Sequence, residues 1–185
     1  ATNCVHVYSD GKDAICSGEG DTIRIPDMDL ITGFEIIQGV FDYFQDWMDQ
    51  LLQMVRGRNY QGIIDLAWQV FRNPLILMDG NNRVLGLTRQ YPEDALDEEW
   101  YYLCNYGYPS LNAILQMRAD HNNIEFWQHG AKSFQFSENR LLKYIGRSYC
   151  MYCNDAVCGR ITVLCKEREL NPGDYQLLEL IATLL

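Results

Sequence analysis

Four of the seven cysteines lie near the C-terminal end of the chain, at a spacing that resembles a metal site. Cys150 and Cys153 are separated by two residues, and Cys158 and Cys165 follow. Thiolates at such spacing can hold zinc or an iron–sulfur cluster. The surrounding residues decide whether these four thiols can meet at one point.

The segment that carries the cysteines reads as two long strands, over 141–153 and 157–166, joined by a turn at Asn154 and Asp155. If the turn is symmetric, Cys153 and Cys158 share one face of the hairpin, and Cys150 and Cys165 share the other. Ligands on opposite faces cannot converge on one tetrahedral ion, so the sequence predicts no metal and no other cofactor. The thiols then serve as small core residues or, for Cys153 and Cys158, as a redox-active pair.

The same register predicts a cluster of polar side chains on one face. Arg147 is expected opposite Thr162, and Tyr149 is expected opposite Arg160. Two guanidinium groups, a phenol and a hydroxyl suit the recognition of a carboxylate. We therefore interpret these four residues as candidate ligand-binding residues for a small molecule that bears a carboxylate. Arginines that are solvated, or paired with the abundant acidic residues, are the alternative.

Aromatic residues in the middle of the chain could form the walls of such a pocket, and the polar face is expected to open toward residues 97–136. The candidates are Trp100 and Trp127, together with Tyr101, Tyr108 and Phe136. An ordinary place in the core is the alternative for each of them.

Sequence motifs of the main catalytic classes are missing. There is no serine nucleophile elbow, no phosphate-binding P-loop, no dinucleotide fingerprint and no His-Glu-x-x-His pair. We expect no enzymatic activity.

Length and composition restrict the class of protein further. A chain of 185 residues that is 48% hydrophobic can form one sizeable core and a small appendage. The formal net charge of −10 offers no basic surface for nucleic acid. No apolar run reaches the length of roughly 18 residues that a membrane span needs, and no signal-peptide pattern is visible. Scattered cysteines in odd number favour reduced thiols in a cytoplasm.

Residues 32–57 predict a long amphipathic helix. Thr32 and Glu35 have the spacing of a capping box, and Gly57 gives a stop signal. Apolar residues recur in steps of three and four, at Phe34, Ile37, Phe41, Phe44, Met48, Leu51 and Val55. This heptad register predicts a coiled-coil homodimer, with packing on the chain's own core as the alternative.

The long helix divides the chain into three predicted regions: a short strand-rich segment over 1–31, the heptad helix over 32–57 and a sensor domain over 58–185. The sensor domain is expected to contain a helix over 60–72, a hairpin of 74–78 with 83–88, short helices near 97–105 and 110–119, short strands near 124–127 and 133–137, the long hairpin and a final helix that opens at Asn171 and Pro172. That last helix carries no stop signal, so we expect a further domain after it.

Three stretches of sequence and this order of elements resemble a known family. They are FDYFQDWMDQLLQMVRGRNYQGIIDLAWQVF (41–71), LAWQVFRNPLILMDGNNRVLGLT (66–88) and CGRITVLCKERELNPGDYQLLELIATLL (158–185). The chain resembles the N-terminal sensor region of PucR/CdaR-type bacterial transcriptional regulators, which have PAS/GAF-like domains.

The resemblance implies an α+β fold with a PAS/GAF-like antiparallel sheet flanked by helices, preceded by a long dimerisation helix and a short strand segment. It also implies a ligand-sensing and dimerisation region of a cytoplasmic transcriptional regulator, which reaches DNA only through a C-terminal domain outside this chain. The alternatives are a dimerisation or scaffold module that binds no ligand and a cysteine-based redox sensor.

Overall fold

The computed structural model describes residues 4–18, 20–119, 132–138 and 142–185. Within these ranges the protein is α+β, with two antiparallel sheets and five helices. Its internal contacts define two compact units, Ala1–Gln50 and Leu51–Leu185. No helix in the described part of the chain is long and apolar enough to cross a membrane.

The first unit contains a three-stranded antiparallel sheet formed by β1 (His6–Asp10), β2 (Asp13–Ser17) and β3 (Thr22–Ile25), with β2 in the centre. The first helix packs on this sheet where it carries a glycine: a Cβ atom on Gly33 would lie 2.5 Å from the Cβ of Ala14. The glycine therefore permits the close approach of helix and strand.

Helix α1 spans Leu30–Arg56, so the predicted long helix is present. Its start differs from the prediction, because the backbone N–H groups of Ile31 and Thr32 donate to Oδ1 of Asp29 at 3.1 and 3.0 Å. A carboxylate before Thr32 already satisfies the free N–H groups of the first turn, so the proposed Thr32 cap was wrong. The hydrogen bonds from Thr32 lower the pKa of the exposed Asp29 carboxyl.

The second unit begins with the last residues of α1 and continues through four helices and a five-stranded sheet. The elements are α2 (Tyr60–Phe71), β4 (Leu75–Asp79), β5 (Val84–Leu87), α3 (Glu98–Tyr106), α4 (Leu111–Ala119), β6 (Ser133–Phe136), β7 (Gly146–Cys153), β8 (Ala156–Leu164) and α5 (Pro172–Leu184). The strand order is β5-β4-β8-β7-β6, and each neighbouring pair is antiparallel.

Most of these elements agree with the sequence prediction. Asn59 caps α2 by accepting a hydrogen bond from the N–H of Gly62, and Asn171 caps α5 in a capping box with Asp174. Strand β7 begins later than predicted, at Gly146. The strand predicted near 124–127 lies outside the described residues.

The register of the β7–β8 hairpin departs from the symmetric prediction two pairs after the turn. Cys153 pairs with Ala156 and Tyr152 with Val157, but Met151 then pairs with Gly159. Cys158 is thus an extra residue in β8, a β-bulge. A bulge of one residue changes the face of every side chain beyond it relative to the other strand.

Because of the bulge, the predicted polar cluster is divided between the two faces of the sheet. Arg160 pairs with Cys150 and Thr162 with Ser148, whereas Arg147 and Tyr149 pair with Val163 and Ile161. The prediction that Arg147, Tyr149, Arg160 and Thr162 share one face was therefore wrong. The predicted grouping of the cysteines also fails, since Cys150 faces Arg160 and Cys158 lies in the bulge.

The two faces of the sheet are covered differently. The helix face carries Leu75, Leu77, Arg147, Tyr149, Ile161 and Val163, and the cavity face carries Ile76, Met78, Ser148, Cys150, Arg160, Thr162 and Leu164. Helix α2 packs on β4 and β5, and α5 packs on β7 and β8. On the helix face the α2 backbone comes so close that a Cβ on Gly86 would lie 2.8 Å from the carbonyl oxygen of Tyr60. Burial of each large aliphatic side chain there contributes about 1.5–3 kcal/mol.

Candidate functional site

The cavity face borders a hollow of about 120 Å³, which α3 and α4 line from the opposite side and to which the edge strand β6 contributes Phe134 and Phe136. Its walls are mainly aromatic, aliphatic and thioether groups, with a few polar side chains among them. The lining residues are Ile76, Met78, Asp97, Glu99, Trp100, Leu103, Pro109, Ala113, Gln116, Met117, Phe134, Phe136, Leu142, Ser148, Arg160, Thr162 and Leu164. An apolar cavity with a few convergent polar groups is the usual form of a small-molecule site.

Arg160 is the cation among the described residues that line this cavity, and it is only 6% exposed. Its Nη2 donates to the thioether sulfurs of Met78 and Met117, at 3.4 and 3.6 Å. Among the described residues, no Asp or Glu forms an ion pair with it. Thioethers are weak acceptors, so this guanidinium keeps most of its capacity for an anion.

The surroundings of Arg160 follow from its place on β8, the central strand of the sheet. Met78 on β4 and Cys150 on β7 are its cross-strand neighbours. Burial raises the pKa of the Cys150 thiol to about 12, although the charge of Arg160 opposes this shift. Cys150 is therefore a neutral thiol at physiological pH and does not balance the charge. Burial also lowers the pKa of Arg160, which still remains a cation because free guanidinium has a very high pKa.

Two hydroxyl groups lie beside the arginine on the same face. The Oγ of Ser148 and the Oγ1 of Thr162 are 2.7 Å apart and form a hydrogen bond in which either can be the donor. Two hydroxyls that share one hydrogen bond keep a second O–H, which can be donated to a ligand.

Two acidic residues line the helix side of the cavity, and both have partners in the protein. Oδ1 of Asp97 accepts a hydrogen bond from the N–H of Trp100, and Oδ2 accepts one from the N–H of Lys143. Buried Glu99 accepts from both the N–H and the hydroxyl of Ser110. These carboxylates position α3 and the start of α4, and they give the helix side of the cavity an acidic character.

Four of the nine residues that the sequence proposed for this site line the cavity. Arg160, Thr162 and Trp100 line the cavity, as does Phe136. Trp100 is held by a hydrogen bond from its Nε1 to the carbonyl of Pro92, at 3.1 Å. Trp127 lies outside the described residues, and the exposed Tyr101 and Tyr108 are not among the cavity residues.

Arg147 lies on the helix face, where it has other partners. Its Nη2 donates to the hydroxyl of Ser133 at 3.0 Å. Its Cζ lies 5.8 Å from the ring centre of Tyr149 and 5.4 Å from that of Tyr175 on α5. Cation–π contacts of this kind stabilise a guanidinium by about 0.5–2 kcal/mol. Arg147 and Tyr149 therefore belong to the packing of the last helix and not to the cavity.

Three further residues of the site, Ser148 and the methionines Met78 and Met117 that contact Arg160, were not predicted from the sequence. The grouping of Ser148 with Arg160 depends on the position of the bulge, whereas Met78 lies beside Arg160 because β4 pairs with β8. One signal was present in the sequence: Gly159 interrupts an otherwise β-prone run, and an isolated glycine in a strand often marks a bulge.

No group of three or more His, Cys, Asp or Glu side chains that could hold a metal ion occurs among the residues that the structure describes. All seven cysteines are free thiols. The absence of a resident metal stays a prediction for elemental analysis: zinc or iron at one ion per chain, lost on Cys150→Ser, would contradict it.

A second feature that could serve a function is the first half of α1, which exposes many large apolar side chains. They are Leu30, Ile31, Phe34, Ile36, Val40, Phe41, Tyr43 and Phe44. The predicted heptad positions Phe34 and Phe41 are 50% and 54% exposed, whereas Leu51 is fully buried. The part of the heptad stripe that is free to meet a partner is therefore its N-terminal half.

No protein-family model matches this sequence, and comparison with curated proteins gives no significant match.

Proposed function

We propose that this chain is the ligand-sensing and dimerisation region of a cytoplasmic transcriptional regulator of the PucR/CdaR type, with a PAS/GAF-like sensor domain. The observation that carries the sensing part is Arg160, a guanidinium buried in an apolar cavity and contacted by thioethers. A buried charge without a counter-ion is costly, and a carboxylate ligand would remove that cost. The order of elements supports the resemblance. DNA is contacted only by a domain outside residues 1–185.

The experiment is a thermal-shift screen of small carboxylic acids at millimolar concentration, since a ligand that binds only the folded state raises the unfolding temperature. We expect at least one acid to raise the unfolding temperature of the unmodified protein and to lose this effect in Arg160→Met. Arg147→Met is the matched control, because it removes the same group from the other face of the same hairpin and should keep the response.

The outcomes separate the three functions. An acid that stabilises both variants equally would contradict a role for Arg160. A screen in which no acid stabilises the folded, unmodified protein would leave the scaffold function. Oxidant-dependent changes confined to Cys153 and Cys158 would favour the redox sensor, although the bulge at Cys158 interrupts the regular alternation from which that pair was predicted.

The route from the cavity to the last helix runs along β8. At the end of this strand, Oδ1 of Asn73 accepts hydrogen bonds from the N–H groups of Glu167 and Arg168, at 2.8 and 3.3 Å. Arg168 in turn donates two hydrogen bonds to the carboxylate of Asp174 in the first turn of α5, at 2.6 and 2.7 Å. A ligand that shifts β8 through Arg160 would therefore change how α5 leaves the sheet.

The dimerisation part of the proposal rests on the exposed aromatic stripe of α1. Phe34, Phe41 and Phe44 follow the heptad register, and a second copy of the same helix is the partner with a matching register. The occupant that we propose is therefore the α1 helix of another chain. Burial of these three rings on each side supplies apolar area in the centre of an interface.

Sedimentation of the unmodified protein at tens of micromolar (roughly the range in which micromolar association is visible) is expected to show a dimer. The double substitution Phe41→Glu and Phe44→Glu places charge in the interface and should give a monomer. Tyr43→Glu is the control, because Tyr43 is exposed on the other side of the helix and lies outside the heptad register. A monomeric unmodified protein, or a monomeric control, would contradict the proposed interface.

A further inference from the structure

Among the described residues that line the cavity, the acidic side chains outnumber the basic ones. Arg160 is the cation on the sheet side, and Asp97 and Glu99 are acidic residues on the helix side. A ligand with one carboxylate can place it at Arg160 and direct an uncharged portion toward α3. A ligand with a second carboxylate at its far end would bring that group near Asp97 and Glu99. Like charges repel there, and no second cation is present among the described lining residues.

The size and the walls of the cavity restrict which uncharged group the ligand can carry. The cavity measures about 120 Å³. For comparison, an engineered apolar cavity of about 150 Å³ binds benzene. The walls offer the rings of Trp100, Phe134 and Phe136 and the sulfurs of Met78 and Met117. Aromatic and thioether groups both make favourable contacts with the edges and faces of another ring.

From these observations we infer that the cavity selects small aromatic monocarboxylates with a single ring. The carboxylate is bound by Arg160, with the spare hydroxyl of the Ser148–Thr162 pair as a further donor, and the ring lies among the aromatic and thioether walls. This inference rests on the proposed sensing function and adds the class of ligand to it.

The test is isothermal titration calorimetry of the unmodified protein with five probes: benzoate, benzamide, terephthalate, cyclohexanecarboxylate and 2-naphthoate. We expect the tightest binding for benzoate. Benzamide lacks the charge, terephthalate adds a second carboxylate at the opposite end of the ring, cyclohexanecarboxylate lacks the aromatic ring, and 2-naphthoate exceeds the volume. Each should bind more weakly, with the dissociation constant of terephthalate raised about tenfold or more by like-charge repulsion.

One substitution tests the repulsion between the cavity carboxylates and a second ligand carboxylate. Glu99→Gln keeps an amide oxygen that can accept from Ser110 but removes one negative charge from the helix side. It should lower the ratio of the terephthalate dissociation constant to the benzoate dissociation constant. The matched control is Glu98→Gln, which changes the neighbouring carboxylate outside the cavity and should leave this ratio unchanged.

The outcomes distinguish this inference from the function on which it rests. Equal or tighter binding of terephthalate, cyclohexanecarboxylate or 2-naphthoate, with dependence on Arg160, would overturn the aromatic monocarboxylate class and keep the sensing function. Binding of benzamide as tight as that of benzoate would overturn the role of the carboxylate. Failure of every acid to bind would overturn both.

Discussion

The two faces of the β7–β8 hairpin each carry one arginine, and the two arginines have opposite surroundings. On the helix face, Arg147 contacts a serine hydroxyl and the rings of Tyr149 and Tyr175. On the cavity face, Arg160 is more deeply buried, and its Nη2 contacts the sulfurs of two methionines. The helix face is filled by α2 and α5, and the cavity face leaves a hollow.

The comparison indicates what each face contributes. Aromatic contacts and a hydroxyl surround the guanidinium of Arg147, although its Nε is buried without a hydrogen-bond partner among the described residues, so Arg147 acts as part of the packing. Arg160 loses hydration and gains only weak acceptors among the described residues, so its presence lowers the stability of the folded state. Residues that lower stability without local compensation are expected at functional sites.

The largest change in the free energy of unfolding is expected from Gly159→Ala, because an added Cβ would clash with both neighbours of the central strand β8. A Cβ at this position would lie 2.1 Å from the terminal methyl of Met151 and 2.4 Å from the carbonyl oxygen of Met78. A carbonyl oxygen of the neighbouring strand cannot move without disturbing the sheet, so the free energy of unfolding should fall by about 3 kcal/mol. Chemical denaturation measures this change in the free energy of unfolding.

Gly39→Ala serves as the control for that substitution. Nothing lies within 4 Å of a Cβ at Gly39 in α1, and alanine is the better helix former. Its free energy of unfolding should rise by up to about 1 kcal/mol. A Gly159→Ala variant as stable as the unmodified protein would mean that β4 and β8 are not as close as the structure has them.

Gly159 lies next to the β8 bulge, the feature of the hairpin that the sequence alone did not predict. The Asn154–Asp155 turn was predicted and is present, with both residues at positive φ, 50° and 63°. Turn residues are local signals, and so are the caps at Asn59 and Asn171 that were confirmed. The bulge lies where Gly159 packs against Met151 on β7 and against the backbone of Met78 on β4, a residue far away in sequence, and this packing gives no local signal. One unpaired residue, Cys158, therefore determined whether Arg160 joined Arg147 or the cavity.

The second prediction concerns the last helix, which covers the helix face. The carboxylate of Asp174 is nearly buried and accepts two hydrogen bonds from Arg168. Asp174→Asn removes the charge of this pair and should lower the free energy of unfolding by about 2 kcal/mol, the usual range for a hydrogen bond to a charged group. Denaturation at neutral pH measures this loss, and Glu179→Gln, an exposed position on the same helix, is the control.

The same residue gives a pH dependence with a defined sign. Burial alone would raise the pKa of Asp174, but hydrogen bonds from Arg168 and Asn171 and the charge of Arg168 outweigh it and lower the pKa below its ordinary value of 3.8. A carboxyl with a lowered pKa stabilises the fold above its ordinary pKa, and this contribution is lost as the pH falls through the folded value. Asp174→Asn should therefore lose less stability on acidification than the unmodified protein. Equal acid sensitivity would mean that the pair does not stabilise the fold.

The third prediction compares the two arginines directly in the absence of ligand. Arg160→Met replaces a buried charge by an apolar side chain of similar length and should raise the free energy of unfolding by about 1 kcal/mol or more. Arg147→Met removes cation–π contacts and a hydrogen bond and should lower it by about 1 kcal/mol. Opposite signs in denaturation would support the division between the two faces, and a loss of stability in both variants would contradict it.

The smallest change in the free energy of unfolding is expected from deletion of Cys158, the residue that forms the bulge. Without it, the pairs Cys153 with Ala156, Tyr152 with Val157 and Met151 with Gly159 follow each other without interruption. Arg160 would keep its place opposite Cys150 on the cavity face, because the pairs beyond the bulge do not change. The hairpin would keep a regular two-residue turn, so the free energy of unfolding should change by less than about 0.5 kcal/mol, as for most surface changes.

The deletion variant should respond to carboxylic acids as the unmodified protein does. Loss of that response in a folded deletion variant would contradict the unchanged pairing of Arg160 with Cys150 beyond the bulge.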